Sequence, residues 1–524
     1  MLLNNPLLRY ELSQVFHRRG AFVRLLVFSG IVALGIFAVW PREAKFLNMR
    51  DKISRDTFNN IAFALQALVL LFAPAYAATS VTPDREEGML EMLSSSAFLP
   101  RQMIQGKVLA SAAYVWMLIA STIPLSAIVF TMGGIGGGEF IAIYLELFLI
   151  SLLISAYGVR CSVLAQRSSE ALAQAYFHVL PLGALWILFR DLHPLWLLAP
   201  LFLIPSILRN PLLVHVLKYP FDYPLKDRRE KQDAVEERLG HWLRRAVALP
   251  RRNRVMRQWE NPVVVRELRY QELGSAGQAL RLLPGVLIAS ILLAIAFVGF
   301  TGMSILFHLG VLLLLGFFIP ALGAPSFASE IHQRTFEALL LTPMRRSSIV
   351  GAKLWVPVRT GFILLLIIET IGLIISVIFN PLSLALVLQG MMLTAAAIVL
   401  VASISVFCSL IARSTAQAVI VSYAVVFAIF LGIPALWRHL YIYNDVAPRN
   451  YAWMGGLSPL MPFLVLQHGI AWLEAVGKSY GSALGASDVY TAHFIFFALA
   501  VSCVLFACTT VILNKFWRKF ACVI

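Results

Sequence analysis

At 524 residues, 59% hydrophobic and 13% charged, with a mean hydropathy of +0.79, the chain is too apolar to be an ordinary soluble protein. Its formal charge of +16 would suit nucleic acid, but the sequence holds no recognisable nucleic-acid-binding module, and membrane proteins gather cations on their cytoplasmic side. The five cysteines (Cys161, Cys408, Cys503, Cys508, Cys522) lie in or beside apolar segments and form neither a CxxC pair nor a disulfide framework.

The chain opens on Asn5-Pro6, followed by Leu7, Leu8, Leu12, Val15 and Phe16 at helical spacing with Arg9, Arg18 and Arg19 among them. The pattern predicts an interfacial helix over residues 5–19 that leads into the first span, with Asn5 as cap and Pro6 in the first turn. Apolar runs long enough to cross a bilayer then follow near 21–40, 59–81, 108–132, 140–165, 171–189 and 194–208. The run at 21–40 is too long for a signal-peptide core and reads as a retained span. The sixth run is short and carries Pro200 and Pro205.

Residues 209–260 form a polar, basic stretch in which Val235, Leu239, Trp242, Leu243 and Ala246 recur at helical spacing after Lys226-Asp227-Arg228-Arg229. This is either an amphipathic helix lying on an anionic leaflet or a plain solvated linker. A second lead-in helix begins at Asn261-Pro262, and further spans follow near 282–300, 304–328, 354–379, 382–411, 415–437 and 491–514. Residues 438–490 form a long loop whose segment after Leu457-Ser458-Pro459 is either re-entrant or a surface helix. The Cys522-Val523-Ile524 ending is not a prenylation box.

Polar landmarks recur between the halves, and greasy composition alone cannot produce that. Asn5, Pro6, Glu11 and Leu12 return as Asn261, Pro262, Glu267 and Leu268, 256 positions later. Glu91 and Lys107 return as Glu337 and Lys353, 246 positions later, and Cys161-Ser162 returns as Cys408-Ser409. The expected architecture is therefore an all-α polytopic membrane protein of about 12 transmembrane helices as two tandem six-helix repeats. Its expected parts are residues 1–208, the cytoplasmic linker 209–260, and residues 261–524. With both termini inside, inner segments carry 33 Lys and Arg and outer segments 9, which sets the orientation.

Between the second and third spans stands Asp84-Arg85-Glu86-Glu87-Gly88-Met89-Leu90-Glu91-Met92-Leu93, then Gly106-Lys107. Between the eighth and ninth stands Glu330-Ile331-His332-Gln333-Arg334-Thr335-Phe336-Glu337-Ala338-Leu339-Leu340, then Pro343 and Lys353. Each reads as an acidic start, a short helix, a turn and a Lys at the next membrane entrance. In these loops and the Asn-Pro lead-in helices (Asn5, Pro6, Glu11; Asn261, Pro262, Arg266, Glu267) the chain resembles the ATP-binding-cassette (ABC) transporter permeases of the type-2 exporter class. Their inner loop runs E-R-x-x-G-T-L-E-x-L-L, then Pro, then G-K. Here Met89 replaces Thr, Ala97 stands near the expected Pro, Arg334 replaces Gly, and Ala352 replaces the second Gly.

The resemblance implies a permease subunit of the cell inner membrane with cytoplasmic termini. It implies that two cytoplasmic ABC ATPase subunits dock on the loops, which serve as coupling helices. Asp84, Arg85, Gly88, Glu91, Lys107, Glu330, Arg334, Glu337 and Lys353 would form the docking sites. Met92-Leu93 and Ala338-Leu339 are expected to fill grooves on the partner. ATP and Mg would sit on that partner, and the chain itself needs no cofactor. The substrate would be an exported lipid, drug-like molecule or other amphiphile. The other reading is a non-transporting scaffold or mechanotransmission subunit.

The chain has no phosphate cradle of its own, because Gly106-Lys107 and Gly351-Ala352-Lys353 lack the Gly-x-x-x-x-Gly-Lys-Ser/Thr context. No H-E-x-x-H motif occurs, and His178, His308, His439 and His468 stand alone, so neither catalysis nor metal binding is expected. Glu146 and Glu369 fall inside spans, where they either line a route or pair structurally.

Overall fold

The structure is a computed structural model. It describes residues 6–16, 52–86, 88–95, 99–130, 136–165, 211–218, 261–270, 304–379, 384–412, 414–434 and 483–521, with short pieces within 29–33, 168–179, 204–205 and 456–462. The expected first, fifth, sixth and seventh spans and the linker helix lie wholly or mostly outside these residues, as does most of the segment after Leu460. Among the described residues the chain is helical and holds no strand. This is the expected all-α polytopic class, because a helix satisfies its backbone polar groups internally where no water can.

The chain divides into two compact units, Met1–Tyr223 and Pro224–Ile524. In the first, α1 (Pro6–Phe16) packs on α5 (Pro100–Phe130), and α2 (Lys52–Ala78) packs on α5 and α6 (Gly137–Leu164). Between α2 and α5 the chain makes two short helices, α3 (Thr82–Glu86) and α4 (Met89–Ser94). A further helix, α7 (Pro211–Lys218), packs on α6 through Leu213, Val216 and Leu217.

The second unit repeats the order. Its lead-in helix α8 (Pro262–Tyr270) packs on α12 (Arg346–Phe379). The span α9 (Ser304–Gly323) packs on α12 and α13 (Leu384–Ile411), and the short helices α10 (Pro325–His332) and α11 (Phe336–Leu340) join α9 to α12. Then come α14 (Thr415–Phe427) with a π turn at Ala428–Gly432, and α15 (Ala483–Ala521), which packs on α13.

Six of these helices are long and apolar enough to cross a membrane, among the described residues. They run past the expected span limits: α12 begins at Arg346 rather than 354, and α15 covers Ala483–Ala521 rather than 491–514. Hydropathy marks the hydrocarbon crossing, whereas helical hydrogen bonding continues through the polar ends. Outward-facing apolar side chains such as Trp355 and Leu366 on α12 and Phe496 and Val504 on α15 suit contact with lipid.

Each of α2 and α9 carries a proline near its end, Pro74 and Pro320, at equivalent positions. Proline removes one helical hydrogen bond and strains the turn before it. The span stops within four residues, and the chain turns into α3 or α10. At that break, backbone groups lose their intrahelical partners and must be satisfied from outside.

Candidate functional site

The lysines at the two membrane entrances meet the chain just past that break. Lys107 Nζ donates to the Ser80 carbonyl (2.8 Å) and contacts Asp84 Oδ2 (2.5 Å) and Glu11 Oε1 (2.6 Å). Lys353 Nζ donates to the Ser326 carbonyl (2.7 Å) and contacts Glu330 Oε1 and Glu267 Oε1 (both 3.0 Å). Ser80, Asp84 and Lys107 each lie 246 positions before Ser326, Glu330 and Lys353. In both units one buried ammonium joins its own span, the segment just past the broken span and the lead-in helix. The lysines therefore face the interior of their units (6% and 1% exposed) rather than an outside partner. Through these contacts they tie the loop to its own unit.

The second cluster carries one cation more. Arg266 reaches Glu330 and also Glu267 (3.1 Å), and the position equivalent to Arg266 in the first half is the exposed Tyr10. Burial works against the charge of Glu267, but Lys353 and then Arg266 outweigh it and hold its carboxyl below the ordinary range. Asn261 acts as the expected cap, its Oδ1 accepting from the Val263 N–H (3.0 Å) while Nδ2 donates to Ser348. Asn5 lies outside the described residues, and Pro6 begins α1.

A second recurring tie comes from the Cys-Ser motif, whose role the sequence alone left unassigned. Ser162 Oγ accepts from the Val81 and Thr82 amides (2.9 and 3.1 Å). Ser409 Oγ accepts from the Phe327 and Ala328 amides (2.8 and 2.9 Å). A polar residue recurring at matched positions inside two apolar runs was the signal that would have found them.

Arg85 also turns inward, donating to the Val163 carbonyl (2.8 Å) and to that of Ala165, at the end of α6. Such a cation neutralises the carbonyl end of a helix. Its counterpart, Ile331, instead packs on the apolar cluster of the second unit.

The chain then reverses through a left-handed residue in both loops: Gly88 at φ +74° and Arg334 at φ +57°. Glycine takes this conformation without steric penalty, and arginine does not. The departure from the sequence pattern at Arg334 thus leaves the turn unchanged and stores strain in it.

Beyond the turn, α4 buries Leu90, and α11 buries Phe336, Leu339 and Leu340. Leu339 therefore faces its own core, contrary to expectation, because Phe336, Leu339 and Leu340 at i, i+3 and i+4 define the inward face. The outward apolar residues are Met89 and Met92 (73% exposed) on α4, and Ala338 and Leu341 (68% exposed) at α11. Glu337 and Arg334 are exposed beside them, and Glu91 occupies the equivalent place on α4. Each loop thus presents a short outward helix on an internally braced base.

Residues 263–516 match the family described as ABC-2 family transporter protein. This region is an ABC-2 transporter membrane domain. Residues 263–516 thus carry the membrane domain of an ABC-transporter permease component, and their long apolar helices suit a membrane. No curated protein matches the chain.

The two intramembrane acids lie away from the loops and are paired. Gln66 Nε2 donates to Glu146 Oε1 (3.0 Å) between α2 and α6. His308 Nδ1 lies 3.1 Å from Glu369 Oε1 between α9 and α12, and both side chains are fully buried. Neither pair has an equivalent in the other half: Leu312 and Leu393 stand at the positions matching Gln66 and Glu146, and Ala62 and Ile123 at those matching His308 and Glu369. Among the described residues no group of acids, histidines and cysteines is arranged to hold a metal.

Proposed function

We propose that this chain is an ABC exporter permease in which two six-span halves, residues 1–208 and 261–524, are fused through the linker 209–260. Two cytoplasmic ABC ATPase subunits, carrying ATP and Mg, dock on the loops 84–107 and 330–353 beside the lead-in helices. Closure of the ATPases tilts the two halves and opens a path for an amphiphile to leave the cell. The protein sits in the inner membrane with both termini in the cytoplasm.

The observation that carries this reading is the braced loop. A connector between spans needs only a few polar residues, yet both loops here spend a buried lysine and two carboxylates to hold one short helix outward. That arrangement suits a helix that receives force. The inner excess of Lys and Arg supports placing the loops in the cytoplasm, where ATP is available.

The test is Glu91→Ala combined with Glu337→Ala. Both carboxylates occupy the outward loop helices, and loss of a charged hydrogen bond to a partner costs about 1.5–3 kcal/mol, or a 10-fold or greater loss of affinity. The double variant should insert normally, recover less ATPase on purification and lose stimulated hydrolysis. Full recovery and parental stimulation would remove these loops from the coupling path.

A further inference from the structure

We propose that Ser162 and Ser409 are positioning residues that carry movement of each loop helix into a span to which the loop is not covalently joined. This rests on the reading of the loops as ATPase-docking sites. Through the backbone, force on the first loop reaches α2 and α5, and force on the second reaches α9 and α12. The next spans, α6 and α13, are not continuous with the loops. Ser162 lies near the end of α6 and Ser409 near the end of α13, so these hydroxyls are direct links to them.

The chemistry of the link makes it stiff. The first amides of a helix have no intrahelical acceptor. A residue at the helix's own N-cap usually supplies one. Here a hydroxyl from a different span does so, accepting two consecutive amides at 2.8–3.1 Å in both units. Both serines are fully buried, so sliding the loop off its serine would strand two amides where water cannot replace the acceptor.

The lysine cluster completes the brace. The loop base is held through the lysine to α5 and to Glu11 of α1 in the first unit, and to α12 and Glu267 of α8 in the second. The serine adds a third direction. The loop, the lead-in helix and the cytoplasmic ends of three spans then move as one body, and α6 and α13 receive the stroke without a loop of their own at that point.

The experiment uses the full chain with the ATPase that co-purifies with it, in nanodiscs, comparing the parent with Ser409→Ala and with Ser162→Ala combined with Arg85→Met. Hydrogen exchange is followed over 325–340 and 404–412 without nucleotide and after trapping with ATP and vanadate, alongside ATPase recovery and unfolding temperature. In the parent, trapping should alter both segments. In Ser409→Ala the loop should still respond, while the response of 404–412 falls by about 5-fold or more with the ATPase fully recovered. In the first unit Arg85 also ties the loop to the end of α6, so Ser162→Ala combined with Arg85→Met should do the same to residues 158–165, and that pair decides the matter if Ser409→Ala fails to insert. A merely structural serine would lower the unfolding temperature and leave the trapped response of α13 intact, which would overturn the proposal. Absence of any ATPase with the parent would instead refute the docking reading, and this proposal with it.

Discussion

Gly158 on α6 lies so close to Ala77 on α2 that a Cβ added to the glycine would sit 2.5 Å from the Ala77 Cβ. At the matching crossing in the second unit the glycine has changed sides: Gly323 on α9 meets Ser405 on α13, whose Cβ would lie 2.8 Å from an added one. One side chain of the pair is absent in each case, and the helices approach closely as small-residue crossings in membranes do. Gly158→Ala should therefore destabilise the first unit by about 1–3 kcal/mol through overpacking. Adding Ala77→Gly should recover most of that loss, since it re-creates the arrangement seen at Gly323. Thermal unfolding of the two variants in one detergent checks this, and equal instability of single and double variants would contradict it.

The two left-handed residues invite an opposite pair of changes. Gly88→Ala should cost about 1 kcal/mol, because a Cβ is disfavoured at φ +74°. Arg334→Gly should stabilise by up to about 1 kcal/mol at φ +57°, less the entropy glycine gives back to the unfolded chain. Neither Gly88 nor its surroundings restrict the added atom by crowding, so the effect isolates backbone strain. Unfolding temperatures moving in opposite directions are the expected result.

Acid should loosen the second cluster in a defined direction. Glu267 has its carboxyl held below the ordinary range, so the folded state binds fewer protons than the unfolded one. Its contribution is complete above the unfolded carboxylate pKa of about 4.3 and is lost as pH falls through the depressed folded value. Unfolding temperature measured from about pH 6 downward should fall more steeply in the parent than in Glu267→Gln, which removes the titrating group. Parallel curves would show that the Lys353–Glu267 contact contributes nothing to stability.

The buried pair of His308 and Glu369 should show strong non-additivity. His308→Leu leaves a buried carboxyl without its hydrogen-bond partner, which costs about 1–3 kcal/mol. Combining it with Glu369→Leu removes the stranded group and should recover most of the loss. A double variant as unstable as the single one would mean that the pair acts through packing rather than through its hydrogen bond.

Much of this protein is legible in its sequence because lipid simplifies the problem. A run of twenty apolar residues has few alternatives to a helix, and the recurring Asn-Pro, acidic loop, Lys and Cys-Ser landmarks locate corresponding places in the two halves. The Asn261 cap, the long helices after Lys107 and Lys353, and the two short loop helices all follow from local pattern. Helix ends did not, because apolar content marks the hydrocarbon while α12 and α15 continue beyond it.

What only the tertiary structure decided is which way the polar residues point. Lys107 and Lys353 read as surface residues at membrane entrances, yet each turns inward to a backbone carbonyl of the segment that follows the preceding span. Leu339 reads as half of an outward pair, yet it faces the core because Phe336 and Leu340 share its side of a single helical turn. Gly88 and Arg334 differ in the sequence and coincide in backbone conformation, since the turn is imposed by the elements on either side of it. Those choices depend on partners tens to hundreds of residues away, such as Glu11 for Lys107 and Ser409 for the Phe327 amide. Local sequence carries the propensity of an element. The free energy of burying a charge or an amide is set by what the fold brings within hydrogen-bonding distance of it.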